Sequence, residues 1–144
     1  IKMETEEKSR ILAIDYGIKR VGFAITDPLR LFAYPLITIA KDKNFWNNFE
    51  QLFKDYQIEL IALGYPLKED GSKSSSTELV EKFHNELEKR KSIKIILVDE
   101  RYSSSIAKER ILESVPSKKK RRNKNLVDMN AAAVILQDYL EMIQ

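Results

Sequence analysis

Short apolar runs bounded by turn residues recur along the chain and predict β-strands. The predicted strands are Ile11–Ile14, Val21–Thr26, Leu31–Ile39, Ile58–Leu63 and Ile93–Val98. The short break between the first two runs predicts that they form a β-hairpin. The third run contains Pro35, and because proline cannot donate a hydrogen bond to a neighbouring strand, we expect this strand at an edge of the sheet.

Other segments repeat their apolar residues at the spacing of an α-helix. The predicted helices are Asn44–Tyr56, Ser75–Arg90, Ser103–Val115 and Val127–Ile143. Ser75 and Glu78 have the spacing of a capping box, and Pro116 ends the third helix. Three antiparallel strands therefore precede two strands that are reached through helices. Because helical crossovers make neighbouring strands parallel, the order predicts a mixed α/β sheet with helices on both faces.

The composition is typical of a soluble globular protein, with 43% hydrophobic and 33% charged residues. A chain of 144 residues is long enough for one domain, which we place at residues 11–144, after a flexible polar segment at residues 1–10. The absence of cysteine excludes disulfides and thiolate metal sites. No apolar run is long enough to span a membrane and no secretory signal is visible, so we expect a cytoplasmic protein.

Positive charge is concentrated in one short segment. The net charge is only +3, yet six of the seven residues from Lys118 to Lys124 are basic. Such a run predicts contacts with the phosphates of a nucleic acid, although a solvated loop can have the same composition. The basic residues of the run are Lys118, Lys119, Lys120, Arg121, Arg122 and Lys124.

Three acidic residues are expected at one rim of the predicted sheet. Asp15 ends the first strand and Glu100 follows the fifth, and parallel strands bring their carboxyl ends to the same edge. Because side chains alternate along a strand, Asp99 and Glu100 point to opposite faces, and only one of them can join Asp15. Asp128 falls on the apolar stripe of the last predicted helix, so it is expected to face the sheet.

A cluster of carboxylates repels itself and is stabilised by a cation. Mg²⁺ prefers oxygen ligands and keeps several waters, which leaves room for a substrate phosphate, and two such ions can promote phosphodiester cleavage. Taken singly, each acid has another explanation: Asp15 as a turn residue, Glu100 in an ion pair and Asp128 near the positive end of a helix dipole. The hypothesis of a metal site depends on the coincidence of all three.

Four segments resemble the YqgF (RuvX-like) family of Holliday junction resolvases and pre-16S rRNA nucleases. In chain order the segments are IDYGIKRVGFAITD, LGYPLKEDGS, VDERYSSSIA and, after the basic run, VDMNAAAVILQDYL. The resemblance covers nearly the whole chain from Ile11. It has departures, because Ile18 stands where threonine is expected and Tyr102-Ser103-Ser104 where leucine and threonines are usual.

The resemblance implies an RNase H-like fold, which we expect as a five-stranded sheet in the order 3-2-1-4-5. It also implies that Asp15, Glu100 and Asp128 are the catalytic residues and bind Mg²⁺ or Mn²⁺. The implied substrate is structured RNA or branched DNA, cut by a monomer or a homodimer. We further expect three basic residues close to the acids in sequence to hold phosphates: Lys19, Arg20 and Arg101.

Two other functions remain open from the sequence. Asp-x-Gly beside a strand also begins the phosphate loop of actin-like and sugar-kinase phosphotransferases. Those enzymes place two such domains around a nucleotide, and Gly64 here is followed by Tyr-Pro rather than by a glycine-rich nucleotide contact. A non-catalytic RNA-binding factor of ribosome assembly would keep the same fold and cleave nothing.

Overall fold

The computed structural model describes residues 9–101, residue 109 and residues 123–143. Its strands and helices, in chain order, are β1 (Arg10–Asp15), β2 (Arg20–Thr26), β3 (Ala33–Ala40), α1 (Phe45–Asp55), β4 (Ile58–Tyr65), α2 (Ser75–Arg90), β5 (Lys94–Asp99) and α3 (Lys124–Ile143). The predicted helix Ser103–Val115 and the basic residues 118–122 lie outside the described residues. Within the described ranges, no helix is both long and apolar enough to cross a membrane.

The five strands form one mixed sheet in the order β3-β2-β1-β4-β5, as predicted. The pairs β1–β2 and β2–β3 are antiparallel, whereas β1–β4 and β4–β5 are parallel. Strand β3 lies at an edge, which confirms the expectation from Pro35. Pro35 pairs with Ala24, and the register of the β2–β3 pair shifts between Phe23 and Ala24, so the missing N–H falls at an irregularity of the ladder.

Alternation along the strands sends their side chains into two apolar layers. One layer packs under α1 and α2 and is rich in phenylalanine. Its fully buried members include Phe23, Phe45, Phe49 and Phe83. The other layer packs under α3 and consists largely of small residues. Among its members are Ala13, Ala24, Ala62, Ala132 and Ala133. Because these side chains are short, the backbone of α3 lies close to the sheet.

Gly22 marks a place of very close approach between α3 and the sheet. A Cβ atom at Gly22 would lie 2.2 Å from the carbonyl oxygen of Asp128 and 2.9 Å from the amide nitrogen of Met129. Both atoms belong to the helix backbone, which cannot move without shifting the whole helix. Only glycine fits here, and this contact determines how close Asp128 stands to β2.

The predicted start of the third strand at Leu31 was wrong, because a side chain holds the preceding residues in a loop. The carboxylate of Asp27 accepts hydrogen bonds from the backbone N–H groups of Leu29, Leu31 and Phe32, at 3.1, 2.9 and 2.7 Å. These N–H groups are therefore not available to a neighbouring strand, and β3 begins at Ala33.

The predicted capping box at Ser75 and Glu78 was wrong by one residue. Ser74 caps α2: its hydroxyl accepts from the N–H of Thr77, and the Thr77 hydroxyl accepts from the N–H of Ser74. Thr77 is buried, and its hydroxyl also donates a hydrogen bond to the carbonyl oxygen of Pro66. Glu78 is exposed, so the residue that completes the capping box is Thr77.

Helix α3 begins earlier than the predicted residue, Val127. The Asn123 side chain accepts a hydrogen bond of 2.9 Å from the N–H of Asn125, and the Asn123 carbonyl accepts from Val127. Asn123 thus supplies the N-cap, and the first turn starts at Lys124.

We predict that Gly22→Ala lowers the free energy of unfolding by about 2–3 kcal/mol, because the new methyl group collides with the backbone of α3. Urea denaturation followed by circular dichroism measures this. Gly71→Ala is the matched control: Gly71 has φ +87° and meets no atom closer than 3.9 Å, so backbone strain alone should cost about 1 kcal/mol. Equal losses in the two variants would contradict the close contact between β2 and α3.

Candidate active site

Three carboxylates meet on the α3 side of the sheet, at the rim where β1 and β5 end. Asp15 is the last residue of β1, Glu100 directly follows β5 and Asp128 lies in the second turn of α3. Asp15 pairs with Gly22, the residue over which Asp128 sits. All three side chains are half-buried. The fold thus brings together three acids that are far apart in the sequence.

The side chain of Glu100 reaches Asp15 across β4, and Gly64 makes room for it. A Cβ atom at Gly64 would lie 2.6 Å from Oε2 of Glu100 and 2.7 Å from Cδ1 of Ile135. Strand β4 lies between β1 and β5, so any larger residue at this position would occupy the space of the carboxylate. The fourth strand was predicted to end at Leu63, before Gly64, and this role of Gly64 was not predicted; the signal was a glycine directly after the predicted strand between the two acidic strand ends.

Asp15 and Glu100 lie within hydrogen-bonding distance of each other, and the raised pKa values of the pair mean that it holds a proton to higher pH than free carboxyl groups do. Burial raises the pKa of Asp15, and the negative charge of Asp128 raises it further. Burial, followed by the charge of Asp15, raises the pKa of Glu100, and the hydrogen bond to Asp15 adds to this. The hydrogen bond lowers the pKa of Asp15 and raises that of Glu100.

Asp128 is held by an arginine. Nε of Arg20, the first residue of β2, donates a hydrogen bond of 2.8 Å to Oδ2 of Asp128, with both side chains partly exposed. Arg20 was predicted as a phosphate-binding residue, and in this structure its partner is a carboxylate. The guanidinium therefore offsets negative charge in the triad.

The carboxylate oxygens of the three acids are the type of ligand that a hard divalent cation prefers. The three acids offer oxygen atoms only, and burial followed by neighbouring negative charge raises the pKa values of Asp15 and Glu100, so a bound cation would favour their ionised forms. In the present side-chain conformations, no group of three Asp, Glu or His side chains in the described part of the chain is arranged to hold a metal ion. Asp128 directs its Oδ2 atom to Arg20.

Asp99 and Glu100 point to opposite faces, as strand alternation predicted. Asp99 forms an ion pair with Arg101, whose Nε lies 2.8 Å from Oδ2 of Asp99, and the hydrogen bond from Arg101 lowers the pKa of Asp99. Arg101 also donates to the carbonyl oxygen of Glu69 at 3.0 Å. Arg101, a predicted phosphate-binding residue, is thus bound to the loop after β4.

The other predicted phosphate-binding residues have different environments. Lys19 is exposed in the turn between β1 and β2, and Lys124 is exposed at the first residue of α3. Five members of the basic run lie outside the described residues: Lys118, Lys119, Lys120, Arg121 and Arg122.

An open pocket of about 380 Å³ adjoins Asp128. The turn between β1 and β2, the first turns of α2 and Asp128 surround it. Its lining residues are Tyr16, Gly17, Ile18, Lys19, Arg20, Ser76, Leu79 and Asp128. A phosphodiester or a nucleotide can therefore approach Asp128 from the side of the hairpin.

We predict that Glu100→Gln raises the melting temperature at pH 8 in the presence of a chelator, and has little effect at pH 4. A carboxyl whose pKa is raised by folding is more protonated in the folded state, so stability is lost as pH rises above its unfolded pKa, about 4.3. Removing the titrating group should recover on the order of 1–2 kcal/mol, a shift of a few degrees. Thermal denaturation at both pH values measures this, and a variant less stable than wild type at pH 8 would contradict the raised pKa of Glu100.

Comparisons with the sequences of known proteins find relatives over most of the chain. The model of the family described as RuvX, Holliday junction resolvase, matches residues 9–142. A protein of Azobacteroides pseudotrichonymphae named "Putative pre-16S rRNA nuclease" is 40% identical over 136 residues, covering 94% of this chain and 98% of its own length. These matches span nearly all of the described residues, including the three acids.

Two solved structures share the fold at low sequence identity. Fowlpox virus resolvase bound to its substrate Holliday junction DNA has a TM-score of 0.55 at 18% identity, over 93% of this chain and 98% of that chain. T. thermophilus RuvC in complex with a Holliday junction substrate has a TM-score of 0.50 at 14% identity, over 93% of this chain and 96% of that chain. The fold is the RNase H-like fold of these resolvases, and the chain belongs to the RuvX family of Holliday junction resolvases.

Proposed function

We propose that this protein is a metal-dependent nuclease that hydrolyses phosphodiester bonds in structured RNA, with the precursor of 16S rRNA as its substrate. The observation that carries the proposal is the meeting of Asp15, Glu100 and Asp128 at one accessible rim, where burial raises the pKa values of Asp15 and Glu100. A relative that is 40% identical carries the name of a pre-16S rRNA nuclease, which favours RNA over a DNA junction as the substrate.

Asp15, Glu100 and Asp128 would hold Mg²⁺ or Mn²⁺. A bound divalent ion supplies Lewis-acid chemistry, because it lowers the pKa of a water and offsets charge on the leaving oxygen. The protein itself contributes a half-buried set of carboxylates whose positions are determined by two glycine contacts, Gly22 with α3 and Gly64 with Glu100. These contacts fix the positions of the carboxylates before the substrate binds. A flexible acidic loop would instead lose conformational entropy on binding its substrate.

The cations around the acids complete the proposed site. Lys19 is exposed next to the pocket and can contact a phosphate, whereas Arg20 pairs with Asp128 and keeps its carboxylate at the rim. Lys118–Lys124 would bind the nucleic-acid backbone without reading its sequence. We propose a cytoplasmic location, where precursor rRNA is available, and a monomer suffices because trimming one strand needs one site.

We predict that Asp15→Asn, Glu100→Gln and Asp128→Asn each lower the cleavage rate at least about 100-fold. The substrates are a precursor 16S rRNA fragment and a four-way DNA junction, each with Mn²⁺, with Mg²⁺ and with a chelator. The reason is that each substitution keeps the shape of the side chain and removes a negatively charged ligand. Rates are measured by gel electrophoresis of end-labelled substrates.

Asp55→Asn is the matched control for these variants. Asp55 lies at the exposed end of α1 and hydrogen-bonds Gln51, so its substitution should leave cleavage unchanged. Wild-type protein that binds the RNA but cleaves neither substrate with either metal would refute the nuclease and favour the non-catalytic assembly factor. Cleavage of the junction alone would refute the RNA substrate and keep the nuclease.

We predict that Gly64→Ala lowers the cleavage rate about 10-fold or more and changes the melting temperature by only a few degrees. The new methyl group meets the flexible ends of two side chains, Glu100 and Ile135, so the fold can adapt while the carboxylate moves away from Asp15. Single-turnover rates and melting curves measure the two effects.

A second substitution separates stability from activity in the Gly64 variant. Ile135→Val removes Cδ1, the atom of Ile135 that the new methyl group meets. The double variant should therefore recover stability while its cleavage rate stays low, because Glu100 remains displaced. Wild-type cleavage by Gly64→Ala would show that Glu100 does not need to cross β4.

A further inference from the structure

A second lysine lies beside the active-site hairpin. Lys41 directly follows β3, and β3 ends next to the start of β2, since Arg20 pairs with Ala40. The N–H of Lys41 donates a hydrogen bond of 2.9 Å to the carbonyl oxygen of Lys19. The two lysines are therefore adjacent at the same rim of the sheet as Asp15.

Aromatic rings surround the ammonium group of Lys41. It lies 5.1 Å from the ring centroid of Phe45, 5.9 Å from that of Trp46 and 6.0 Å from that of Tyr16, the residue after Asp15. Ring faces attract a cation and keep it in place, but they do not neutralise its charge. Lys41 is half-buried, so this positive charge is retained at a defined position.

Arg90 extends the same arrangement. Its guanidinium lies 4.0 Å from the ring centroid of Trp46, on the ring that also borders Lys41. Trp46 stacks on Phe83 at 5.6 Å, and Phe83 contacts Tyr16 at 4.4 Å. A continuous row of contacting aromatic rings therefore extends from Arg90 to the end of β1.

These cations differ from the other basic residues near the site. Arg20 pairs with Asp128, Lys73 with Glu81 and Lys91 with Glu50, so their charges are balanced by carboxylates. Over residues 9–101 and 123–143, no ion pair is formed by the three remaining cations of this surface: Lys19, Lys41 and Arg90.

We propose that Lys19, Lys41 and Arg90, with Trp46 beneath the last two, form a basic track that binds the phosphodiester backbone of the substrate strand beside the carboxylates. The inference rests on the proposed nuclease function and names a binding surface for its substrate. The track begins at the hairpin that carries Asp15. Contacts to phosphates provide affinity and position but do not read the base sequence.

The test measures RNA affinity separately from cleavage. Asp15→Asn protein is titrated with a fluorescent precursor 16S rRNA fragment in chelator at several salt concentrations. In this background, Lys41→Gln and Arg90→Gln should each raise Kd about 3- to 10-fold at about 150 mM salt. Each should also reduce the slope of log affinity against log salt by about one phosphate contact. Lys41→Arg should keep both values, because it keeps the charge over the rings.

Lys94→Gln is the matched control, because Lys94 is exposed at the first residue of β5, at the opposite end of that strand from Glu100. It removes the same charge and should leave Kd within about 2-fold of the parent. Melting temperatures identify any variant that is unfolded.

The outcomes separate the track from the nuclease. If Lys41→Gln and Arg90→Gln bind RNA no more weakly than Lys94→Gln does, the basic track is overturned and its cations only support the fold. If they bind weakly but the unsubstituted protein cleaves neither RNA nor junction with Mn²⁺, the track stands and the nuclease fails. Affinity lost equally in Lys41→Arg and Lys41→Gln also overturns the track, because retained charge should retain binding.

Discussion

The contact between Asp15 and Glu100 is the constraint on which the rest of the site depends. Burial and neighbouring negative charge raise the pKa values of these two carboxyl groups, so ionising both of them is unfavourable in the absence of a cation. This arrangement costs stability in the neutral range, and the packing of the sheet and α3 maintains it. Acids placed in this way are better explained by a function than by the needs of the fold.

Two glycines make the arrangement possible. Gly22 allows the backbone of α3 to touch β2 and brings Asp128 to the rim, while Gly64 leaves space above β4 for Glu100. Neither glycine has a positive φ, so backbone conformation does not explain their presence. Their role is steric. The missing Cβ atom of Gly22 leaves room for the backbone of α3, and that of Gly64 leaves room for the carboxylate of Glu100. The apolar layer of alanines under α3 has the same consequence over a larger area.

The charges near the rim fall into two classes. Arg20 forms an ion pair with Asp128, so its charge is balanced by that carboxylate and holds it in place. Lys41 and Arg90 rest on aromatic rings, which position a cation and leave its charge unbalanced. Both classes of cation lie around one edge of the sheet. The site therefore has carboxylates at its centre and positively charged side chains around them. A polyanionic substrate that has to approach carboxylates needs such a combination.

Much of the fold followed from local patterns. The mixed sheet, the edge position of β3 and the opposite orientations of Asp99 and Glu100 were predicted from hydrophobic periodicity and strand alternation, which are properties of adjacent residues. The strand order was predicted from the family resemblance. The errors were at element ends. There, Asp27, Ser74 and Asn123 form side-chain hydrogen bonds to the backbone that move boundaries by one to three residues.

The residues of the candidate site could be predicted from the sequence, but the contacts between them could not. The sequence alone indicated three acids at the ends of elements that one sheet would bring together. Only the tertiary structure decided that Glu100 crosses β4 over Gly64 and that Arg20 binds Asp128. It also decided that Lys41 sits among three rings. These contacts join residues from different elements, and their energies depend on distance and burial, which periodicity along a single segment does not contain.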